Sequence, residues 1–211
     1  MKLTRIFFIA VFLFTYLHLQ TYSYATEINI SEKSRVLLKV KDIKGINYDV
    51  YFFAPKETKT DYYLCSTGDE VFIGNYSFQI QKQGEKEIKT TSIIFKDYPY
   101  NQTQRSVFPI ISKSYPDIVI VSNLLDCNTK VGYLYYVDNE KIVSVKSALS
   151  YTLPPMFNEK NELETMNYYN MEDLPWVLNT YELDLKSNSL KMIDKKSLSF
   201  EEGQKMKNKW Q

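Results

Sequence analysis

Histidine is almost missing from this 211-residue chain, which has one, His18. That residue lies in an N-terminal segment, Met1 to Ala25, with a cationic start (Lys2, Arg5), an apolar stretch from Ile6 to Leu19 and a polar run ending Ser23-Tyr24-Ala25. This order and size are those of a secretory signal peptide, and cleavage is expected after Ala25. A spanning helix needs roughly 20 apolar residues, and Thr15 and His18 interrupt a run that is already shorter. The expected mature chain, 26–211, therefore carries no imidazole. Ser-His-Asp and Cys-His nucleophile activation require one, as do most zinc and copper sites. No catalytic residue, no metal and no cofactor is expected.

Cysteine is nearly as scarce, with Cys65 and Cys127 alone. Two thiols cannot complete a thiolate zinc site, and they form no Cys-x-x-Cys redox pair. Delivered to an oxidising compartment, they are expected to bridge each other. Glycine totals six and proline seven, and no Gly-rich phosphate loop, dinucleotide fingerprint or low-complexity linker is present. An excess of charge is lacking as well. With Lys2 and Arg5 gone, the 26 basic residues fall to 24 against 25 acidic ones. Arg35 and Arg105 are the arginines left, and lysines alternate with acids. No basic stripe is available for phosphates, so nucleic acid is not an expected partner.

What the chain has is aromatic and β-branched residues in short runs. Of 18 tyrosines and 12 phenylalanines, 15 and eight lie beyond the leader. RVLLKVK (35–41), YDVYFFA (48–54), DYYLCS and EVFIG read as strands bounded by turn residues. PDIVIVSN, from Pro116, suits a strand buried on both faces. Three segments read as hairpins. Tyr76, Phe78 and Ile80 turn near Gln83-Gly84 towards Ile88. Tyr133, Tyr135 and Val137 turn at Asp138-Asn139-Glu140 into Ile142–Val145. Tyr181, Leu183 and Leu185 turn at Ser187-Asn188-Ser189 into Leu190 and Met192. The fold class expected is mostly β, a single domain over 26–211 of antiparallel sheets arranged as a sandwich or a stack of twisted sheets. Leu153 to Pro175, with Pro154-Pro155 and a polar stretch, reads as a long surface loop. Ser199 before Glu201 and Glu202 reads as the cap of a short C-terminal helix, with Trp210 docking it.

PDIVIVSN together with the second hairpin resembles the repeat unit of secreted FG-GAP or integrin-type propeller proteins, over roughly 30 residues. Lys113-Ser114-Tyr115 stands where the acidic calcium loop of such a repeat would be. The resemblance implies a small propeller-like arrangement as the second choice of architecture.

Acid pairs are the catalytic equipment that remains: Asp69-Glu70, Glu162 with Glu164, and Glu172-Asp173. A glycan hydrolase would need two carboxylates facing each other across about 5 to 9 Å. Rings in loop-like segments offer binding instead, namely Tyr98, Tyr100, Tyr168, Tyr169 and Trp176. Asn29, Asn75 and Asn101 begin glycosylation acceptor patterns. The function expected is an exported, periplasmic or secreted, non-enzymatic binder of another protein, of inhibitor or immunity type. The alternatives are a carbohydrate-binding module that takes polysaccharide, and a carboxylate-dependent glycan hydrolase.

Overall fold

The computed structural model of the chain describes residues 30–210 apart from 62–64, 66–67, 115 and 171–172. The expected leader, 1–25, and most of the DYYLCS run lie outside these described residues. The chain divides into two compact units, Met1–Lys33 and Ser34–Gln211. Within the first, α1 (Ile30–Lys33) is a single helical turn. The second holds the sheets.

It is mostly β, as its composition predicts, with antiparallel strands in three groups. β1 (Val36–Lys41), β2 (Asn47–Phe53), β3 (Glu57–Thr60), β4 (Val71–Lys82) and β5 (Lys89–Asn101) form the first sheet, in which β4 pairs with β2, β3 and β5. β6 (Val107–Ile110), β7 (Ile118–Leu124), β8 (Lys130–Asp138) and β9 (Lys141–Tyr151) form the second, in chain order. β10 (Leu153–Phe157), β11 (Leu163–Tyr168), β12 (Trp176–Asp184) and β13 (Ser189–Leu198) form the third, again in chain order. No ladder closes the sheets into a barrel.

The apolar clusters show how the sheets pack. One joins Val50, Phe52, Tyr76 and Phe78 of the first sheet to Val119, Val121, Tyr135 and Val137 of the second. Another joins Ile118, Ile120, Leu134 and Tyr136 of the second sheet to Leu163, Tyr181 and Leu183 of the third. Alternate residues of β7 and β8 thus face opposite neighbours, and the second sheet is the filling of a three-layer stack. A strand buried on both faces must be apolar throughout, which is why the run from Pro116 has no polar alternation. Consecutive four-stranded meanders are also how propeller blades follow one another, but a propeller closes a ring of about four or more blades, and this stack does not.

The three expected hairpins form. β8 and β9 pair Asp138 with Lys141, leaving Asn139 (φ 45°) and Glu140 (φ 59°) as a two-residue left-handed turn. Such a turn matches strand twist, and Asn tolerates the conformation well. Glu140 is held there by an ion pair with Lys89 of β5. The expected loop 153–175 is overturned in its first half. Leu153–Phe157 is an edge strand despite Pro154 and Pro155, because an edge has an outward side where no N–H is needed, and its register slips between Leu153 and Met156. Leu163–Tyr168 is an interior strand whose polar Thr165 and Asn167 are buried. Asn167 Nδ2 donates to the Ser150 carbonyl oxygen at 3.1 Å, which is how a polar stretch becomes sheet core.

The C-terminal helix α2 (Phe200–Lys207) has the expected Ser199 cap, completed by Glu202 as a capping box. It lies against the third sheet through Met206 and Trp210, which pack with Met166, Trp176 and Leu198. Trp210 Nε1 donates to the Pro154 carbonyl oxygen at 2.8 Å. The closest approach is at Gly203, where a Cβ would stand 1.9 Å from Trp176 Cδ1. Replacing a helical glycine by alanine ordinarily gains up to about 1 kcal/mol. Here the clash reverses the sign. Gly203→Ala is expected to lose about 1–3 kcal/mol in urea unfolding, from overpacking against the indole.

Burial raises the Tyr135 and Tyr151 hydroxyls to about 12 and pushes Tyr98 up as well. For an acid whose folded pKa exceeds its unfolded value near 10, the stabilisation is complete below pH 10 and is lost as the pH climbs towards the folded value. The unfolding midpoint is therefore expected to fall steadily above pH 10. Tyrosinate absorbance at 295 nm should rise in two phases, the second coinciding with loss of near-UV circular dichroism.

Candidate functional site

The bridge between Cys65 and Cys127 forms, with Cα atoms 5.4 Å apart and 62 residues of separation. It ties the segment between β3 and β4 to the loop between β7 and β8, and so links the first two sheets. That second loop is built around Asp126. Its Oδ1 accepts from the Asn128 and Thr129 backbone N–H groups, both at 2.7 Å, and these bonds hold the carboxyl below the usual carboxylate range. The Leu125 N–H donates to the Thr129 carbonyl oxygen at 2.9 Å, which closes the loop and leaves the Leu125 side chain exposed.

Beside this loop, β11 ends at Tyr168 and Tyr169. Tyr168 is half-buried, its ring centroid 4.7 Å from that of Trp176 and 6.5 Å from that of Phe200 in α2, and it also lines the larger of the two depressions at Tyr169. Tyr169 follows, fixed by its N–H donating to the Pro175 carbonyl oxygen at 2.7 Å, and its ring is 48% exposed. Tyr169 lines two open depressions. One, of about 770 Å3, runs along Leu125, Asp126, Asn128, Thr129, Ser150 and Asn170. The other, of about 440 Å3, is formed with Asp173, Leu174, Val177, Lys195 and Ser197. An exposed ring thus stands between exposed Leu125 and exposed Leu174, on backbone fixed by strand ends and a disulfide-bonded loop.

The remaining ring candidates are corrected by their burial. Tyr98 and Tyr100 alternate inward on β5 and join the core between the first two sheets. Tyr98 Oη donates to the Ser122 carbonyl oxygen at 2.8 Å, so ring and hydroxyl are both satisfied inside. Trp176 is 3% exposed under Gly203 and offers no ring at the surface. Among the acids, Asp69 accepts from Asn101 Nδ2 at 3.0 Å and Glu70 pairs with Lys59. Glu162 and Glu164 both accept from Asn158 Nδ2, each at 2.9 Å, so the amide fills the space between them. Glu172 lies outside the described residues. Asn101 is buried and its amide is engaged, which removes it as a glycan acceptor.

A third, much smaller space of about 20 Å3 lies among Asn101, Gln104, Ser106, Ser122 and Lys130. Burial holds the Lys130 amine below its usual range, and its Nζ donates to the Gln104 carbonyl oxygen at 2.6 Å. This space admits one water and no larger ligand. Among the described residues, no three His, Cys, Asp or Glu side chains gather to hold a metal ion.

No family model, no curated protein and no solved structure matches this chain.

The sequence named Tyr168 and Tyr169 but missed Leu125 and Leu174. Their signal was available, since an apolar residue directly before Asp126-Cys127-Asn128 or before Pro175 has no strand to bury it. The disulfide generates a test. Closing a loop of this length removes unfolded-chain entropy worth about 4 kcal/mol. Cys65→Ser/Cys127→Ser is expected to lose stability of that order in chemical denaturation. Amide exchange should rise first over residues 125–129.

Proposed function

We propose that the chain is an exported, non-enzymatic binding protein of the inhibitor or immunity type, and that it holds its partner protein through the surface centred on Tyr169. The observation that carries this reading is one exposed tyrosine between two depressions, flanked by Leu125 and Leu174. Tyrosine brings a large rigid contact area with a polar tip, and interface anchors are enriched in it. Apolar neighbours around such a ring exclude water from the contact. Export is supported by the order of the N-terminal segment and by the cysteine pair, which suits an oxidising compartment. No helix among the described residues is long and apolar enough to cross a membrane.

Polysaccharide is the second reading, favoured by the polar rim of Asn128, Thr129, Ser150 and Asn170 beside the same ring. The two readings differ in what they need. A protein interface uses the leucines, whereas a sugar stacks on the ring and bonds to the amides.

The test is capture from the native envelope fraction by immobilised chain, run in parallel with Leu125→Ser/Leu174→Ser and Tyr169→Ala. The expected result is one stoichiometric protein partner, lost on both variants while the unfolding free energy in urea changes by less than about 0.5 kcal/mol, as exposed substitutions do. Binding of oligosaccharides that tolerates Leu125→Ser/Leu174→Ser and fails with Tyr169→Ala would transfer the function to glycans.

A further inference from the structure

The third sheet ends in a long, exposed edge strand. β13 runs ten residues without proline, and seven in succession, Lys191 to Ser197, are exposed. Met192 and Ile193 stand 50% and 43% exposed within that stretch. Its inner side pairs with β12 from Trp176 with Leu198 to Asp184 with Ser189, with a register shift that leaves Ile193 unpaired between Asp194 and Met192. On its outer side the second sheet reaches only the beginning: Lys146 N–H donates to the Asn188 carbonyl oxygen, and Leu190 N–H donates to Ser147 Oγ. Beyond Leu190 the outer edge has no backbone partner among the described residues. The edge strands β1, β3 and β9 are also free of proline, but β5 is interrupted by Pro99, β6 by Pro109 and β10 by Pro154 and Pro155. Proline there removes the donors that another strand would need.

Charge decides what could pair with β13. It carries Lys191, Lys195 and Lys196 against a single acid of its own, Asp194, with Glu182 of β12 opposite Lys191 and Glu202 of α2 near Lys196. The ion pairs among the described residues are Arg35 with Glu57, Lys59 with Glu70, Lys82 with Glu85 and Lys89 with Glu140, so none involves these three lysines. In an antiparallel pairing with a second copy centred near Ile193, Lys191 would stand opposite Lys195 or Lys196. Like charges directly opposite one another destabilise a ladder, so the lysines bar self-pairing. They favour a strand of the other sign.

We propose that the outer edge of β13 receives an extended acidic segment of the partner protein, which adds to the third sheet as a fifth strand. This rests on the protein-binding reading above and names the chemistry of the partner. Lys195 and Ser197 of β13 also line the depression beside Tyr169 and Leu174, so an added strand runs into that surface. Main-chain bonds supply affinity in such additions, and side chains select the partner.

The test uses the whole processed chain and fluorescein-labelled decapeptides of alternating Glu and Val or alternating Lys and Val, read by fluorescence anisotropy. The acidic peptide is expected to bind and the basic one not. Lys191→Glu/Lys195→Glu/Lys196→Glu should weaken the acidic peptide at least tenfold and admit the basic one. An acidic peptide N-methylated at every second residue, which cannot complete a ladder, should lose binding. No binding by the acidic peptide, or equal binding by its N-methylated form, would overturn the strand-addition proposal. Envelope capture separates the two ideas. A partner lost with Tyr169→Ala but retained with the lysine reversal leaves the protein-binding function standing and removes this site.

Discussion

Ile118, Val119, Ile120 and Val121 follow one another along β7, each almost wholly withdrawn from water, and their side chains point alternately at the third and first sheets. Burial of an aliphatic side chain of this size is worth about 1.5–3 kcal/mol, and here four such contributions come from consecutive positions. Among the described residues the outer sheets share no ladder with each other. Each is held by the apolar surface that the second sheet offers it. A polar residue anywhere in this run would face a neighbouring sheet rather than water.

Apolar burial fixes which layers meet but is indifferent to small slides, and the polar contacts remove that freedom. At the start of β7, the Asp117 carboxylate accepts from the Lys41 N–H of the first sheet at 2.7 Å and from Ser112 N–H at 2.8 Å. Beyond its far end, Cys127 is bonded to Cys65. The first two sheets are thus pinned at both ends of one strand. Between the second and third sheets the pins are hydrogen bonds, from Asn167 to the Ser150 carbonyl and from Lys146 to the Asn188 carbonyl. The depressions beside Tyr169 lie where both kinds of pin end, so their walls belong to well-fixed backbone.

The sequence was most informative where a pattern has one structural solution. A continuous β-branched run, a turn within Asp138-Asn139-Glu140 and a Ser199 cap three residues before Glu202 each fit one local geometry. It misled where a residue type serves two environments. Proline reads as a strand breaker, yet Pro154 and Pro155 sit in an edge strand that needs no donors on one side. Thr165 and Asn167 read as solvated, yet they are buried with partners contributed by other strands. Tyr98, Tyr100 and Trp176 looked like surface rings because proline or acids flank them. Their exposure depends on what crosses over them, and for Trp176 that is Gly203, 27 positions later in the chain. Tyr169 differs because β11 has ended and its ring stays 48% exposed among the described residues.

This economy of surfaces bears on where recognition can occur. Both faces of the second sheet are spent on packing, and α2 covers the Trp176 side of the third. Strand ends and edges are left for contact, as is the outer face of the first sheet, where Leu37 and Ile94 are exposed. Two of these carry apolar groups that the fold itself does not need, the Leu125–Tyr169–Leu174 surface and the Met192–Ile193 stretch of β13. Scattered single exposures are ordinary on any protein, but neighbouring ones that line a shared depression are not. Lys195 and Ser197 join the two regions, since both belong to β13 and both line the depression at Tyr169. A partner that engaged only the ring would leave the β13 backbone unsatisfied except by water. One that ran along the strand into the depression would use main-chain bonds, lysine charge and the tyrosine ring in a single contact.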